Sequence, residues 1–331
     1  MENTSNIKIR IAFTNVGKKL LKNQLTGIIA VLIFIILIAQ IITKGNFISS
    51  YNITIIIRSM AFIGLVAIGQ SLLLILGELD LSVGSIAGLS AVFSGILMVN
   101  FGLNPFLSFF LSVIFGAFLG FINGLIITSL NLNALIVTIG MAGIYKGINL
   151  VVTRGSAITG IPESILFIGQ GKIFGLPFPF FILIIILIII SIIIQKTTLG
   201  RYIYAIGSSR EAAIILGIKV KMIRIGTFMI TGALASLAGM IMVSRLGSSQ
   251  PAIGEIWVLP SIAAPVIGGV ALTGGIGHPI GAIIGVAIIG IIENIIVLLG
   301  ISPYWQTVVS GSVVVLAVSI DSISRLSLKR N

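Results

Sequence analysis

Phe178-Pro-Phe-Phe-Ile-Leu-Ile-Ile-Ile-Leu-Ile-Ile-Ile-Ser-Ile-Ile-Ile194 contains no charged side chain and is apolar almost throughout. A run of this kind suits a helix surrounded by lipid, whereas helices of soluble proteins keep one polar face. Of the 331 residues, 57% are hydrophobic and only 8% are charged. Soluble domains carry about 25% charged residues, which they need to cover their surface. The composition therefore predicts an all-α membrane protein.

Windows of about 18–25 apolar residues predict ten membrane spans. They cover approximately residues 26–43, 52–76, 83–100, 105–129, 133–152, 178–194, 225–245, 256–273, 279–299 and 304–320. We expect the first span to be retained rather than cleaved as a signal peptide, because no small-residue cleavage site follows it before Lys44.

The basic residues predict the orientation of these spans. With the N-terminus in the cytoplasm, fourteen Lys and Arg residues fall inside and four fall outside. Two more, Arg58 and Lys146, fall within spans near their outer ends, where long side chains can snorkel. This excess of basic residues inside is the one that membrane proteins show. Both termini are therefore predicted to be cytoplasmic.

A weak internal repeat appears at an offset of 170 residues, which aligns Gly69 with Gly239 and Gly84 with Gly254. The second and seventh predicted spans would begin the two copies, and an odd offset of five spans inverts one copy relative to the other. Inverted repeats are typical of transporters with alternating access. We expect one permease domain over residues 1–331, with a basic N-terminus (1–25), a first repeat (52–152), a cytoplasmic coupling loop (195–224) and a second repeat (225–325).

Several chemistries find no support in the sequence. Cys is absent and the one His, His278, is expected in a solvated turn, so we predict no metal site, no cofactor and no catalytic residue. The Gly-Lys pairs 17–18 and 171–172 lack the earlier glycine of a phosphate-binding loop, so any ATP hydrolysis is expected in a separate subunit. The net charge of +12 lies between apolar runs and at the termini, which argues against a nucleic-acid partner.

The first candidate site is the acidic stretch Gly77-Glu-Leu-Asp-Leu-Ser-Val-Gly84 between two predicted spans. Asp80 or Ser82 is of a type that caps the following helix. Alternatively, the stretch is a cytoplasmic-side gate beside a transport pathway, since charged groups near the membrane are costly and often functional. Its repeat partner, residues 247–254 with Gln250, would lie on the outer side.

Polar residues within the spans extend this prediction. The small-residue ladders Gly116-x3-Gly120-x3-Gly124 and Gly281-x3-Gly285 permit close helix crossing, and they bring Asn123 and Glu293 towards the packed interior. Polar residues inside a span face the bundle or a wet cavity. The residues predicted for the pathway or gate are Glu78, Asp80, Ser82, Asn123, Gln250 and Glu293.

The second candidate site is the predicted cytoplasmic stretch from Gly207 to Gly217. Ser208 and Glu211 have the spacing of a capping box, so a short helix is predicted to begin there, and Gly217 suits its end. Ala212 and Ala213 would let the backbone of a partner protein approach closely. A helix lying on the membrane surface is the alternative interpretation.

At these residues the chain resembles the permease subunits of ribose-type ABC importers. Residues 77–84 are similar to their Gly-x-Ile-Asp-Leu-Ser-Val-Gly motif, although Glu78 stands where many members have Gly, and Leu79 where they have Ile. Gly200-Arg-Tyr-Ile-Tyr-Ala-Ile-Gly207 with the following Glu-Ala-Ala resembles their coupling segment, and residues 263–270 and 273–278 resemble a third block. The resemblance covers roughly residues 25–325.

This resemblance implies a ten-helix fold and a monosaccharide importer in the inner membrane. The implied partners are a cytoplasmic ATPase, an extracytoplasmic sugar-binding protein and a second permease copy or paralogue. Ser208, Glu211, Ala212, Ala213 and Gly217 would transmit the motion of the ATPase. The alternatives are an ABC permease for a nucleoside or branched-chain amino acid, an ion-coupled transporter that would depend on Glu293, and an intramembrane enzyme.

Overall fold

The computed structural model describes residues 24–302 and 304–328. The N-terminal tail with Lys8, Arg10, Lys18, Lys19 and Lys22 lies outside these residues, as do Lys329 and Arg330. Within the described residues the chain forms thirteen α-helices. They are α1 (Gln24–Ile42), α2 (Ser50–Leu76), α3 (Val83–Gly95), α4 (Pro105–Ser129), α5 (Ala134–Thr153), α6 (Glu163–Gln170), α7 (Phe178–Lys196), α8 (Thr198–Ser208), α9 (Arg210–Ile215), α10 (Val220–Leu246), α11 (Val258–Ile267), α12 (Pro279–Leu298) and α13 (Tyr304–Leu328).

Seven helices of the described part of the chain are long and apolar enough to cross a membrane. They are α2, α3 with its π-helical extension Ile96–Asn100, α4, α5, α7, α10 and α12. The predicted all-α membrane class is therefore confirmed. The predicted ten spans also include α1, α11 and α13, which are not among these seven. Of the three, α1 and α11 are shorter apolar helices.

The eighth predicted span, residues 256–273, differs most from the structure. A 3₁₀ turn (Glu255–Trp257) leads into α11, which ends at Ile267. The following Gly268–Gly277 segment carries four glycines with positive φ, at 269, 274, 275 and 277, and a continuous helix does not accommodate that backbone. Apolar composition alone gives no warning of this break.

The core of the bundle lies where α10 crosses α2 and α4. Gly120 packs directly on the backbone of Phe228, and a Cβ at this position would collide with the Phe228 carbonyl oxygen. Gly116 and Gly124 also face α10, while Gly281 and Gly285 of α12 contact the backbones of Gly268 and Ala264. The prediction that these glycine ladders permit close helix crossing is confirmed.

In the part of the chain that the structure describes, four two-residue strands join the loops at one end of this bundle. β1 (Ile158–Thr159) pairs antiparallel with β4 (Ser248–Ser249), so that the loop after α5 meets the loop after α10. β2 (Lys172–Ile173) and β3 (Leu176–Pro177) form a hairpin immediately before α7. These pairings tie the connecting loops to the ends of the helices.

Candidate functional site

Asp80 lies at the centre of a buried polar network, the Asp80 cluster, made of Gln70, Asp80, Ser82, Asn123 and Tyr145. The Ser82 amide and hydroxyl donate to Asp80 Oδ1 at 2.7 and 2.6 Å. Asn123 Nδ2 donates to Asp80 Oδ2 at 3.2 Å and to Ser82 Oγ at 2.8 Å. The Tyr145 hydroxyl lies 2.9 Å from Asn123 Oδ1 and can donate to it. The cluster links α2, the start of α3, α4 and α5.

The cluster also holds the backbone of the acidic loop. Gln70 Nε2 donates to the Asp80 carbonyl oxygen at 2.5 Å, and the Leu81 amide donates to Thr138 Oγ1 at 3.1 Å. The side chains of Gln70, Asp80, Ser82 and Asn123 are fully buried. Burial raises the pKa of the Asp80 carboxyl, while the hydrogen bonds from Ser82 and Asn123 act in the opposite direction. Buried polar groups that are all bonded in this way specify one local geometry.

The predicted capping role of Asp80 or Ser82 takes a different form. Ser82 is the N-cap residue of α3, but its side chain makes no capping hydrogen bond. Asp80 accepts from the Ser82 amide rather than from the first turn of the helix. The Ser82 hydroxyl does not cap the helix because it is already bonded to Asp80 and Asn123.

We expect Asn123→Leu to lower the free energy of unfolding by about 1–3 kcal/mol, because Asp80 Oδ2 would lose its buried donor, while the Tyr145 hydroxyl would keep only the Leu119 carbonyl oxygen at 3.0 Å. The matched control is Ser90→Ala in α3. The Ser90 hydroxyl is buried without a hydrogen-bond partner, so its removal should cost nothing. Unfolding of both variants in mixed detergent micelles measures the difference. Equal stabilities would contradict a structural role for the cluster.

Glu78, in the same loop, forms a second charged feature. It pairs with Arg224 at the start of α10, and the two side chains are 12% and 3% exposed. Arg224 Nε and Nη1 are buried and have no hydrogen-bond partner among the described residues. Burial raises the pKa of the Glu78 carboxyl, although Arg224 and Arg210 act in the opposite direction. The pair borders a cavity of about 330 Å³ that Arg210, Asn133 and Leu272 also line.

A larger cavity of about 670 Å³, the Trp257 cavity, lies between the ends of α2, α10, α12 and α13. Its lining includes the aromatic residues Tyr51, Phe62 and Trp257, and the polar residues Asn52, Ser59, Arg245, Glu293, Asn294 and Gln306. The Phe62 and Trp257 rings stack with centroids 6.1 Å apart. Arg245 lies 5.3 Å above the Phe62 ring, where a cation is attracted to the ring face.

Two hydrogen-bonded contacts shape the wall of the Trp257 cavity. The side-chain amides of Asn52 and Asn294 bond reciprocally at 2.9 and 2.7 Å, which joins α2 to α12. Glu293 Oε1 accepts from the Ser310 hydroxyl at 2.9 Å, which joins α12 to α13. Of the predicted pathway residues, only Glu293 lines this cavity. Gln250 is exposed, bonds to Ser248 Oγ at 3.3 Å, and lines neither this cavity nor the one beside Glu78.

The predicted coupling segment is a helical pair, α8 and α9. The predicted capping box is wrong by one residue, because Ser208 ends α8 and its hydroxyl donates to the Tyr204 carbonyl oxygen. Ser209 is the N-cap of α9 and accepts from the Ala212 amide at 3.2 Å. Ser209 has a φ of −158°, so the extended backbone breaks the helix one residue later than the spacing suggests. Glu211 accepts from the Ser209 hydroxyl at 3.3 Å.

The two alanines of α9 have different surroundings. Ala213 is 1% exposed and packs into the core, whereas Glu211 and Ala212 are exposed. Gly217 has a φ of +75° and ends the segment, as predicted. Apolar side chains at the end of α9 lie open: Ile214, Ile215 and Leu216 are 57%, 84% and 75% exposed.

His278 is half-buried rather than fully solvated. Its Nδ1 accepts from the Ile280 amide at 3.1 Å, so it is the N-cap of α12, and Nε2 lies 2.5 Å from Gln195 Nε2. Burial lowers the pKa of His278, which favours the neutral ring that capping requires. Proximity to Gln195 at the end of α7 explains the burial, which the local Gly-His-Pro sequence did not indicate.

Sequence reasoning missed Gln70, Tyr145, Arg224 and Trp257. One signal was present for Arg224, since a carboxylate between apolar spans needs a cationic partner. Tyr145 and Trp257 resemble ordinary core residues in the sequence, and nothing in their local pattern points to a cluster or a cavity.

The fold and these cavities are those of a multi-pass membrane protein with polar sites inside its bundle. The family described as "Branched-chain amino acid transport system / permease component" matches residues 52–318, and the chain belongs to it. It is 40% identical to the ribose import permease protein RbsC of Bacillus subtilis over 87% of this chain and 90% of that protein.

Two further relatives come from other organisms. The ribose import permease protein RbsC of Escherichia coli K12 is 35% identical over 89% of this chain and 92% of its own length. The autoinducer 2 import system permease protein LsrC of Yersinia enterocolitica is 32% identical over 92% of this chain and 84% of its own length. No solved structure matches the chain.

Proposed function

We propose that this chain is the inner-membrane permease subunit of an ATP-driven importer for a monosaccharide, ribose or a similar pentose or hexose. The observation that carries this proposal is the similarity to ribose import permeases over about nine-tenths of both chains. The autoinducer 2 permease, at 32% identity, favours a different small solute as the second candidate. In either case ATP is hydrolysed by a separate cytoplasmic subunit, and an extracytoplasmic binding protein delivers the solute.

The Trp257 cavity is the part of the proposed pathway that the solute enters first. Its volume of about 670 Å³ falls in the usual range for small-molecule sites. Aromatic rings and a few convergent amide and carboxylate groups are the typical lining of such sites. Glu293 supplies the carboxylate, and Asn52 and Asn294 supply the amides. A pathway role for Gln250 stays a prediction.

The predicted gate residues are Glu78, Asp80, Ser82 and Asn123. Their contacts limit when a solute can reach them. The Asp80 cluster is closed by hydrogen bonds, so its groups meet a solute only after the cluster opens. The Glu78–Arg224 pair likewise holds the end of α2 against the start of α10. Both features support a closed gate on the proposed cytoplasmic side.

The exposed end of α9 is the proposed contact with the ATPase. Glu211 and Ala212 present a polar and a small side chain, and Ile214, Ile215 and Leu216 present apolar surface beside them. Ser208 and Gly217 bound this segment, with Ala213 anchoring it in the permease. A docked partner would cover the exposed apolar side chains.

Transport by the reconstituted system tests the function. Vesicles that contain the permease, its ATPase and its binding protein should take up radiolabelled ribose when ATP is supplied on the ATPase side. Vesicles without the ATPase should take up none. Uptake by the permease alone, driven by a proton or sodium gradient, would instead establish an ion-coupled transporter. ATP-dependent uptake of an autoinducer 2 solute, without uptake of ribose, would favour the second candidate.

We further propose an inverted repeat, ten spans and cytoplasmic termini. Helix bounds support the repeat: Ser50 and Val220, Leu76 and Leu246, and Ala134 and Tyr304 are each 170 positions apart. Gly77 and Gly247, also 170 apart, both end their helices with positive φ. Gly84 and Gly254 pack against each other, since a Cβ on either would collide with the carbonyl oxygen of the other. Reciprocal contact of equivalent residues is expected at a two-fold axis between repeats.

A second permease copy or a paralogue is the proposed partner within the membrane. α5 leaves Gly140, Gly143 and Gly147 exposed, and no described residue outside their own stretch of helix lies within 4 Å of a Cβ built at any of them. Small residues of this kind allow another helix to approach closely. α7 differs, because its exposed apolar residues are bulky isoleucines that suit lipid.

Single-cysteine variants test orientation and dimer formation, because the chain has no Cys of its own. Glu211→Cys should react with a membrane-impermeant thiol reagent only from the cytoplasmic side. Gly143→Cys should form disulfide-linked dimers in native membranes, whereas Ile189→Cys on α7 should not. Labelling of residue 211 from outside would overturn the proposed topology. Equal crosslinking at 143 and 189 would remove the support for a dimer through α5.

A further inference from the structure

A third cavity, of about 510 Å³, lies beside the Trp257 cavity and has an unusual charge. It is lined by three basic residues, Arg58, Lys172 and Arg245, with Ser50, Tyr51, Thr54 and Ile55. No acidic residue is among these seven. In the described part of the chain the ion pairs are Glu78–Arg224 and Lys146–Glu255, and neither involves this cavity.

One nitrogen of these basic groups lacks a partner among the described residues. In residues 24–302 and 304–328, Arg58 Nε is buried and has no hydrogen-bond partner. A buried charged donor without a partner is costly, and cations within membrane spans are generally paired or functional. Three positive charges around one cavity also repel each other, so an anion in the cavity would relieve both costs.

The position of this cavity within the bundle indicates the kind of anion. Arg58 is eight residues into α2, about 12 Å from its first residue at 1.5 Å per residue. Arg245 is one residue from the end of α10, and Lys172 is on the β2–β3 hairpin. In the proposed topology these positions lie at the outer ends of α2 and α10, near the membrane interface where lipid phosphates lie. Arginine guanidinium groups bind phosphate oxygens with two parallel hydrogen bonds.

We propose that Arg58, Lys172 and Arg245 form a binding site for a phosphate group, carried either by an anionic phospholipid or by a soluble phosphate. The bound phosphate accepts from Arg58 Nε and balances the charge of the other two residues. Because Arg245 also lines the Trp257 cavity, the occupied site holds this side chain at the boundary between the two cavities.

Binding to the purified full-length permease tests the site. Native mass spectrometry would compare phosphatidylglycerol with phosphatidylcholine of the same acyl chains. Thermal unfolding in a neutral detergent would compare inorganic phosphate with chloride at equal ionic strength. Arg58→Gln should weaken phosphate-group binding about tenfold, which is the loss expected for a charge-assisted hydrogen bond. Lys172→Gln should weaken phosphate-group binding only about threefold, because Lys172 is exposed and solvent screens its charge.

Lys44→Gln is the matched control, because Lys44 is an exposed basic residue that does not line the cavity. Preferential binding of phosphatidylglycerol that depends on Arg58 and Lys172 would identify a lipid headgroup as the ligand. Stabilisation by inorganic phosphate with the same dependence would identify a soluble phosphate. If Arg58→Gln does not fold, the comparison of Lys172→Gln with Lys44→Gln decides. Unchanged binding in the Lys172 variant, or no binding of either probe, would overturn the proposal.

Discussion

Replacing Ala212 with Trp is expected to reduce ATPase co-purification and sugar uptake by about tenfold or more while leaving the permease fold unchanged. Ala212 is exposed on α9, so a larger side chain there extends into solvent rather than into the core. A docked partner packed at interior density would have to absorb about 1–3 kcal/mol of strain, and 1.4 kcal/mol corresponds to tenfold in an equilibrium.

Ala213→Trp is expected to act differently. Ala213 is 1% exposed and belongs to the core, so Trp at this position should overpack the bundle and lower the stability of the permease itself. Ala212 and Ala213 were predicted together to lie against a partner, but only Ala212 is exposed enough to do so.

The measurements are thermal stability in detergent, co-purification of the ATPase, and uptake. Ala157→Trp is the control, since Ala157 is an exposed alanine on the loop between α5 and α6. It should leave all three unchanged. Normal binding and uptake by the Ala212 variant would mean that α9 is a surface helix without a coupling role.

Glu78→Ala is expected to lower the free energy of unfolding by about 3–5 kcal/mol. The change leaves the Arg224 guanidinium, which is 3% exposed, without its counter-charge in a site that already lacks hydrogen bonds to Nε and Nη1. Arg224→Ala should have a similar effect on Glu78. The double variant Glu78→Leu/Arg224→Met should lose less than either single variant, because it leaves no buried charge unpaired.

Lys146→Ala provides the matched control for this ion pair. It breaks the Lys146–Glu255 pair, whose atoms are 2.7 Å apart but whose side chains are about half exposed. Water and salt screen such a pair, so the loss should be no more than about 1 kcal/mol. Unfolding in mixed micelles measures all four variants. Equal losses of unfolding free energy for Glu78→Ala and Lys146→Ala would show that burial of the Glu78–Arg224 pair adds nothing to its contribution to stability.

Local sequence patterns predicted the long apolar helices well, because the backbone hydrogen bonds of a helix lie within its own segment. The bounds predicted for the span 105–129 coincide with α4, and those predicted for 83–100 coincide with α3 and its π-helical extension. The sequence correctly predicted a short helix before Gly217, but it placed the start of that helix one residue too early. Capping depends on the backbone conformation of Ser209, and the Ser-x-x-Glu spacing does not determine that conformation.

The candidate site was predictable only in part. Asp80, Ser82 and Asn123 were identified because polar groups are costly in an apolar span, and they do lie together. The same argument could not show that they bond to each other rather than line an open path. Gln250 and Glu293 were grouped with them, yet Gln250 is on a loop and Glu293 lines a different cavity.

Composition and periodicity by themselves determined the membrane class, the approximate position of the spans and the glycine ladders. These properties follow from the hydrophobicity of each segment and from the absence of a side chain, both of which are local. The tertiary structure alone decided that Glu78 meets Arg224, that Ala213 is buried while Ala212 is not, and that Arg58, Lys172 and Arg245 surround one cavity. Such contacts depend on how each helix is rotated and how it crosses its neighbours, and residues far apart in the chain set that geometry together.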